Sequence, residues 1–81
     1  AFKAGLPNAA RVTGHERWLR GDRTAAASWW TRGLEAARTI GARYDEARIQ
    51  RDIGRLTGDT HAAAAGEGIM TEIVASWRAG A

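Results

Sequence analysis

Two histidines, His15 and His61, and two serines, Ser28 and Ser76, are the first side chains to weigh as base and nucleophile. Neither set completes a site. His15-Glu16 is not followed three residues later by a second histidine, the arrangement that puts two imidazoles on one helix face around zinc. Both histidines read as structural or surface residues. The serines have no glycine elbow and no paired base. The chain has no cysteine, so a disulfide framework and a thiolate metal site are both excluded. Gly66-Glu67-Gly68 lacks the third glycine and the preceding strand of a dinucleotide loop, and Glu67 would repel a phosphate. It reads as a flexible half-turn. No catalytic residue, cofactor or metal ligand is expected.

Arginine is the one group with functional reach. Eleven of the twelve basic residues are arginine, Lys3 being the exception, and the net charge is +3. A guanidinium pairs bidentately with carboxylate or phosphate. The pI of about 10.6 raises nucleic acid as a partner. That use wants a continuous basic face, whereas Glu16, Asp22, Asp45, Glu46 and Asp52 lie among the arginines. A protein or an acidic peptide is therefore the expected partner. The alternative is a basic helical module of a transcription regulator that binds nucleic acid. At the simplest level, Arg48 and Arg55 only pair with Asp52, four and three residues away on one helix, for about 0.3–0.5 kcal/mol each.

The elements that must position these residues are helices. The clearest runs from Gly21 to Gly41. Asp22 is placed to cap it, and Gly41 to close it in the left-handed conformation. Ala26, Trp30, Gly33, Leu34 and Ala37 recur at steps of three and four and share one face. Trp30 needs a hollow on a partner helix, while Ala26 and Gly33 admit a close backbone, so this face predicts tight helix-on-helix packing. Before it, a helix runs from about Pro7 to Arg20 with Ala10, Val12, Trp18 and Leu19 as apolar positions. Gly14 in its middle predicts a close crossing, with the small residues of the second helix as partner. A third helix starts at Asp45-Glu46 and runs to about Thr57, with Ile49, Ile53 and Leu56 on its apolar face. Asp59 or Thr60 caps a fourth, from about Thr60 to Arg78, whose ridge is Ile69, Met70, Ile73, Val74 and Trp77. Gly66 and Gly68 predict a kink or a frayed start in it. Asp59 is expected to contribute less as a cap than Asp22 for that reason.

The chain repeats. Leu19-Arg20-Gly21-Asp22 recurs 37 residues later as Leu56-Thr57-Gly58-Asp59. At the same offset Ala10-Arg11-Val12 falls on Ala47-Arg48-Ile49, Ala25-Ala26-Ala27 on Ala62-Ala63-Ala64, Ala37 on Val74 and Ile40 on Trp77. Two helix–turn–helix units follow, at about 7–41 and 44–79, forming a single domain. Gly14, Gly21-Asp22, Ala26-x3-Trp30 and Gly33 resemble the tetratricopeptide repeat. More narrowly, Trp30 to Arg38 with Gly41, Tyr44-Asp45-Glu46-Ala47 and Gly54-Arg55 is similar to the helical-repeat tails of bacterial nucleotide-cyclase and STAND-type ATPase signalling proteins and LuxR-type activators. The resemblance covers about Ala10 to Asp59. It departs from the family at Ala10, Thr13 and Arg17, where larger apolar residues are usual, and at Glu67, where an aromatic is usual. The proline between repeats is missing.

The resemblance implies an all-α fold, a fragment of a right-handed α-solenoid. It also implies a non-catalytic scaffold for protein contacts within a larger cytoplasmic signalling or regulatory protein. In that class the first helix of each unit lines the inner face, which puts Arg11, His15 and Trp18 beside Arg48, Asp52 and Arg55 in one shallow groove able to hold an acidic peptide. Trp18 is then core or groove wall. Trp29 either packs on a neighbouring unit or stands exposed. Ile69, Ile73 and Trp77 make more apolar surface than the third helix alone covers, so they and Trp29 are expected to form a self-association or next-repeat surface. Phe2 and Leu6 add apolar surface at the other end. The chain is short, so its core is small. No apolar run approaches the ~20 residues of a membrane span. Ala1 is not a methionine and the only methionine is Met70, which reads as a processed product or an excised piece.

Overall fold

A computed structural model describes residues 5–80. It is all-α, with four helices: α1 (Leu6–Leu19), α2 (Arg23–Ile40), α3 (Arg43–Thr57) and α4 (Thr60–Gly80). Phe2 lies outside the described residues. α3 opens 37 residues after α1, at Arg43 against Leu6, and α4 opens 37 after α2, at Thr60 against Arg23. The hinges obey the same offset. Gly21 and Gly58 both take positive φ, at 86° and 77°, a conformation open to glycine at no steric cost. Asp22 Oδ1 then accepts the Ala25 N–H at 3.0 Å, and Asp59 Oδ1 accepts those of His61 and Ala62 at 2.9 and 3.1 Å.

α1 pairs with α2 and α3 with α4. α3 also packs on both α1 and α2, whereas α4 touches α3 alone among the described residues. The Cα atoms span 44 × 33 × 15 Å, a flattened shape in which each helix has exposed residues along its length. Every helix therefore keeps an outward side. The core is correspondingly thin and built of small residues. Ala10, Ala26, Ala37 and Ala47 are fully buried, and Trp30 and Ile49 are the large side chains at its centre, flanked by Trp18, Leu34, Ile53 and Leu56.

Gly14 does not receive the small residues of α2. It is the hollow for Trp30, whose indole lies against it: a Cβ there would come 2.4 Å from the indole Nε1. Gly33 instead takes the Ala10 methyl and the Ile49 side chain. The α3–α4 crossing is made by other glycines. A Cβ on Gly54 would lie 2.8 Å from the Ala63 backbone nitrogen, and one on Gly66 would lie 3.1 Å from the Ala47 carbonyl. Gly66 is thus a contact point. α4 runs through it and through Gly68 without a break, where a kink or frayed start was expected. Docking on α3 offsets the weak helix propensity of that stretch.

Two buried carboxylates on α3 tie the hairpins together. Glu46 accepts from Arg38 of α2 at 3.0 Å and from Arg43 of its own helix at 3.2 Å. Asp52 accepts from Arg11 of α1 at 3.1 Å and from Arg55 at 3.0 Å. Each carboxylate spreads its charge over two guanidiniums, which makes burial tolerable. Arg43 also donates to Glu72 of α4. That hydrogen bond chiefly, against some desolvation and with the charges of Glu72 and Glu46 adding, raises its pKa above the ordinary value.

Candidate arginine cleft

Where α3 crosses α1, the residues on its outer side border a shallow cleft of about 190 Å³ lined by Arg11, Tyr44, Arg48, Arg51, Asp52 and Arg55. Arg11 reaches it from α1, and the rest come from α3 at steps of three and four, which bring them to one side of the helix. Four guanidiniums meet one carboxylate, and both oxygens of Asp52 are already engaged, Oδ2 by Arg11 and Oδ1 by Arg55. Arg11 is fixed further by donating to Asn8 Oδ1 at 3.1 Å. The Arg48 guanidinium lies 5.6 Å from the centre of the Tyr44 ring, a cation–π contact. It has no ion-pair partner among the described residues. Arg51 makes a long 3.9 Å contact with Glu67 at the rim and lays its stem against Gly66. The cleft is therefore positive and open, with Arg48 and the largely exposed Arg55 as its accessible donors.

Of the groove residues expected from sequence, Arg11, Arg48, Asp52 and Arg55 come together here. His15 and Trp18 do not line it. Trp18 packs on Trp30, ring centroids 5.9 Å apart, and its outer face carries the Arg23 guanidinium at 4.7 Å. It is a wall of the core. Asp52 is paired by Arg55 as the helical spacing suggests, but its second partner is Arg11 from the neighbouring hairpin and not Arg48. Tyr44 and Arg51 were missed. The signal for them was present, since Tyr44, Arg48, Arg51 and Arg55 follow one another at steps of four, three and four.

The expected self-association residues scatter. Trp29 is half-buried, with Arg32 of its own helix stacked on it at 4.5 Å. Ile69 is buried against α3 and contributes no open surface, because its side of α4 is the side that docks. Ile73 is half-buried, and Val74 and Trp77 are exposed. At the other end Leu6, Val12 and Leu19 of α1 are exposed.

Among the described residues no group of three histidine, aspartate or glutamate side chains is placed to hold a metal ion. No helix there is long and apolar enough to cross a membrane. Comparison with known proteins finds no matching family model, no similar curated protein and no similar solved structure.

Proposed function

We propose that this chain is a non-catalytic helical-repeat module that holds protein partners, and that the arginine cleft takes an acidic segment of the partner. The cleft carries the reading: four guanidiniums around one carboxylate that is already doubly paired leave net positive charge facing solvent. Arg11, fixed between Asp52 and Asn8, sets the floor. Arg48 and Arg55 supply free donors in the planar fork that suits a carboxylate. The pairing of α3 with both preceding helices, and of α4 with α3 alone, is the contact pattern of stacked hairpins. It supports a tetratricopeptide-like solenoid fragment, which we infer to be part of a larger cytoplasmic signalling or regulatory protein.

Titrating a fluorescently labelled glutamate-rich peptide tests the reading. Binding should weaken as salt rises and vanish in the Arg48→Ala, Arg55→Ala double variant, with helix content unchanged by circular dichroism. A duplex DNA of matched charge is the control. Tight DNA binding at physiological salt with none of the peptide would replace the scaffold with a nucleic-acid-binding module.

A further inference from the structure

The contact of α3 on α2 shows how one hairpin of this chain receives the next. The receiving positions on α2 are Trp30, Gly33, Leu34, Ala37 and Arg38. Ile49 packs on Trp30 and reaches Gly33, Leu34 joins the same cluster, Ala37 is buried, and Arg38 holds Glu46. Thirty-seven residues on, the counterparts are Glu67, Met70, Thr71, Val74 and Ala75. These five, with Arg78, line an open groove of about 350 Å³ on α4. The seat that α3 fills on α2 is therefore present on α4, where no other element among the described residues covers it.

The matching insert is also on the chain. Shifting α3 back by 37 residues gives α1, whose Val12, Leu19 and Ala9 stand in the places of Ile49, Leu56 and Glu46. Ile49 and Glu46 are buried and Leu56 is packed on the core, whereas Val12, Leu19 and Ala9 are exposed. Three of the exposed large apolar side chains, Leu6, Val12 and Leu19, lie on α1, and two more, Val74 and Trp77, on α4.

We propose that a second copy of this chain seats the outer face of its α1 in the α4 groove of the first, head to tail, repeating the α3-on-α2 contact. The side chains compensate in pairs. Within the chain a bare Gly33 meets the large Ile49; between copies the larger Met70 meets the smaller Val12. Within the chain Arg38 pairs with Glu46; between copies both positions are alanine, Ala75 and Ala9, so neither half of that ion pair is left unpartnered. The polar point is Glu16, in the place of Ile53, which approaches Glu67, in the place of Trp30 and so at the centre of the contact. Glu16 brings Arg17 and Arg20 with it, at 3.0 and 3.1 Å, so two guanidiniums meet the two carboxylates, but the contact lacks the apolar centre that Trp30 and Ile53 give α3 on α2, and the association is weak. Because the two faces differ, the contact is heterologous and does not close at a dimer. It uses surfaces separate from the arginine cleft and stands whether or not the cleft binds.

Sedimentation velocity from about 10 μM to about 1 mM, a range suited to weak association, tests this. The average mass of the wild type should climb past that of a dimer. Val12→Glu and Val74→Glu, both at exposed positions, should each stay monomeric, while their equimolar mixture should form dimers and stop there, since one variant keeps the groove and the other the insert. Leu19→Glu and Ala75→Glu form a second pair with the same expectation, should either first variant lose helix content. Transplanting the inner ion pair as Ala9→Glu with Ala75→Arg should tighten association about two- to fivefold at low salt, and neither single change should. A wild type that stays monomeric to the top of the range overturns the proposal. So does a mixture that fails to associate, or a dimer lost in Val74→Glu but indifferent to Val12→Glu, which would mean α4 meets α4.

Discussion

Gly14 and Gly68 are both glycines inside helices, and their replacement by alanine should have opposite signs. Helix propensity alone favours either substitution by about 1 kcal/mol. At Gly68 nothing lies within 4 Å of a new Cβ, so Gly68→Ala should realise most of that gain. At Gly14 the new methyl would sit 2.4 Å from Trp30 Nε1, 2.5 Å from Cδ1 and 3.0 Å from Cε2. Relieving this to an ordinary contact needs the ring to move by about 1 Å. The ring has little room: Trp18 lies against it, and Ala26 and Ile49 pack in the same cluster. Overpacking costs ~1–3 kcal/mol and sometimes more, and a rigid two-ring system belongs at the upper end. Complete loss of the Trp30 contacts, ~3–5 kcal/mol for Trp30→Ala, sets the ceiling. After subtracting the propensity gain, Gly14→Ala should lose about 1–3 kcal/mol, a fall of roughly 5–20 °C in Tm for a domain of this size. Urea unfolding followed by tryptophan fluorescence and by far-ultraviolet circular dichroism would read both variants, with the midpoint shifting at unchanged m. A Gly14→Ala variant as stable as Gly68→Ala would mean that Trp30 does not lie on Gly14, and would refute the packing of α1 on α2 described above.

Gly54→Ala should destabilise by about 1–2 kcal/mol, because its Cβ would meet the Ala63 backbone at 2.8–2.9 Å and push α4 away from α3; thermal melts compare it directly with Gly68→Ala. The two capping aspartates should each be worth about 1 kcal/mol, with Asp59→Ala costing at least as much as Asp22→Ala, since Asp59 accepts two backbone N–H groups where Asp22 accepts one. The reverse order in urea midpoints would mean that the α4 cap is not formed as described.

Local signals were legible in the sequence wherever one residue type answers one geometric need. Gly21, Gly41 and Gly58 at the helix ends, Asp22 and Asp59 as caps, and Ala26, Trp30, Gly33 and Ala37 on one face all sit where their chemistry places them. The 37-residue offset was legible too, and it recurs in the helix starts. Pairing between distant residues was not. Arg38 with Glu46 and Arg11 with Asp52 depend on how hairpins stack, and a guanidinium looks the same in sequence whether it faces solvent or a buried carboxylate. Glu46 read as an acid suiting a helix start, and it is also a tie to α2. Gly14 and Gly66 show the same limit: at Gly14 the sequence announced a close approach without naming the tryptophan ring, and at Gly66 it suggested a kink where the Arg51 stem and the Ala47 carbonyl come close. For the cleft, Arg11, Arg48, Asp52 and Arg55 were legible once the two first helices were set side by side. His15 and Trp18 were carried along by that placement although Trp18 turns to the core.

That α4 touches α3 alone has a consequence for how the molecule comes apart. Its docking rests on one neighbour, and from Val74 to Gly80 its residues are exposed. The last helix can therefore peel away as a unit while α1, α2 and α3 stay clasped by Glu46, Asp52 and the Trp30–Ile49 cluster, a local opening of lower free energy than global unfolding. Amide protons should accordingly exchange in order, those late in α4 first and those at the middle of α2 and α3 last. The arginine cleft draws on α1 and α3, so it persists in the opened form.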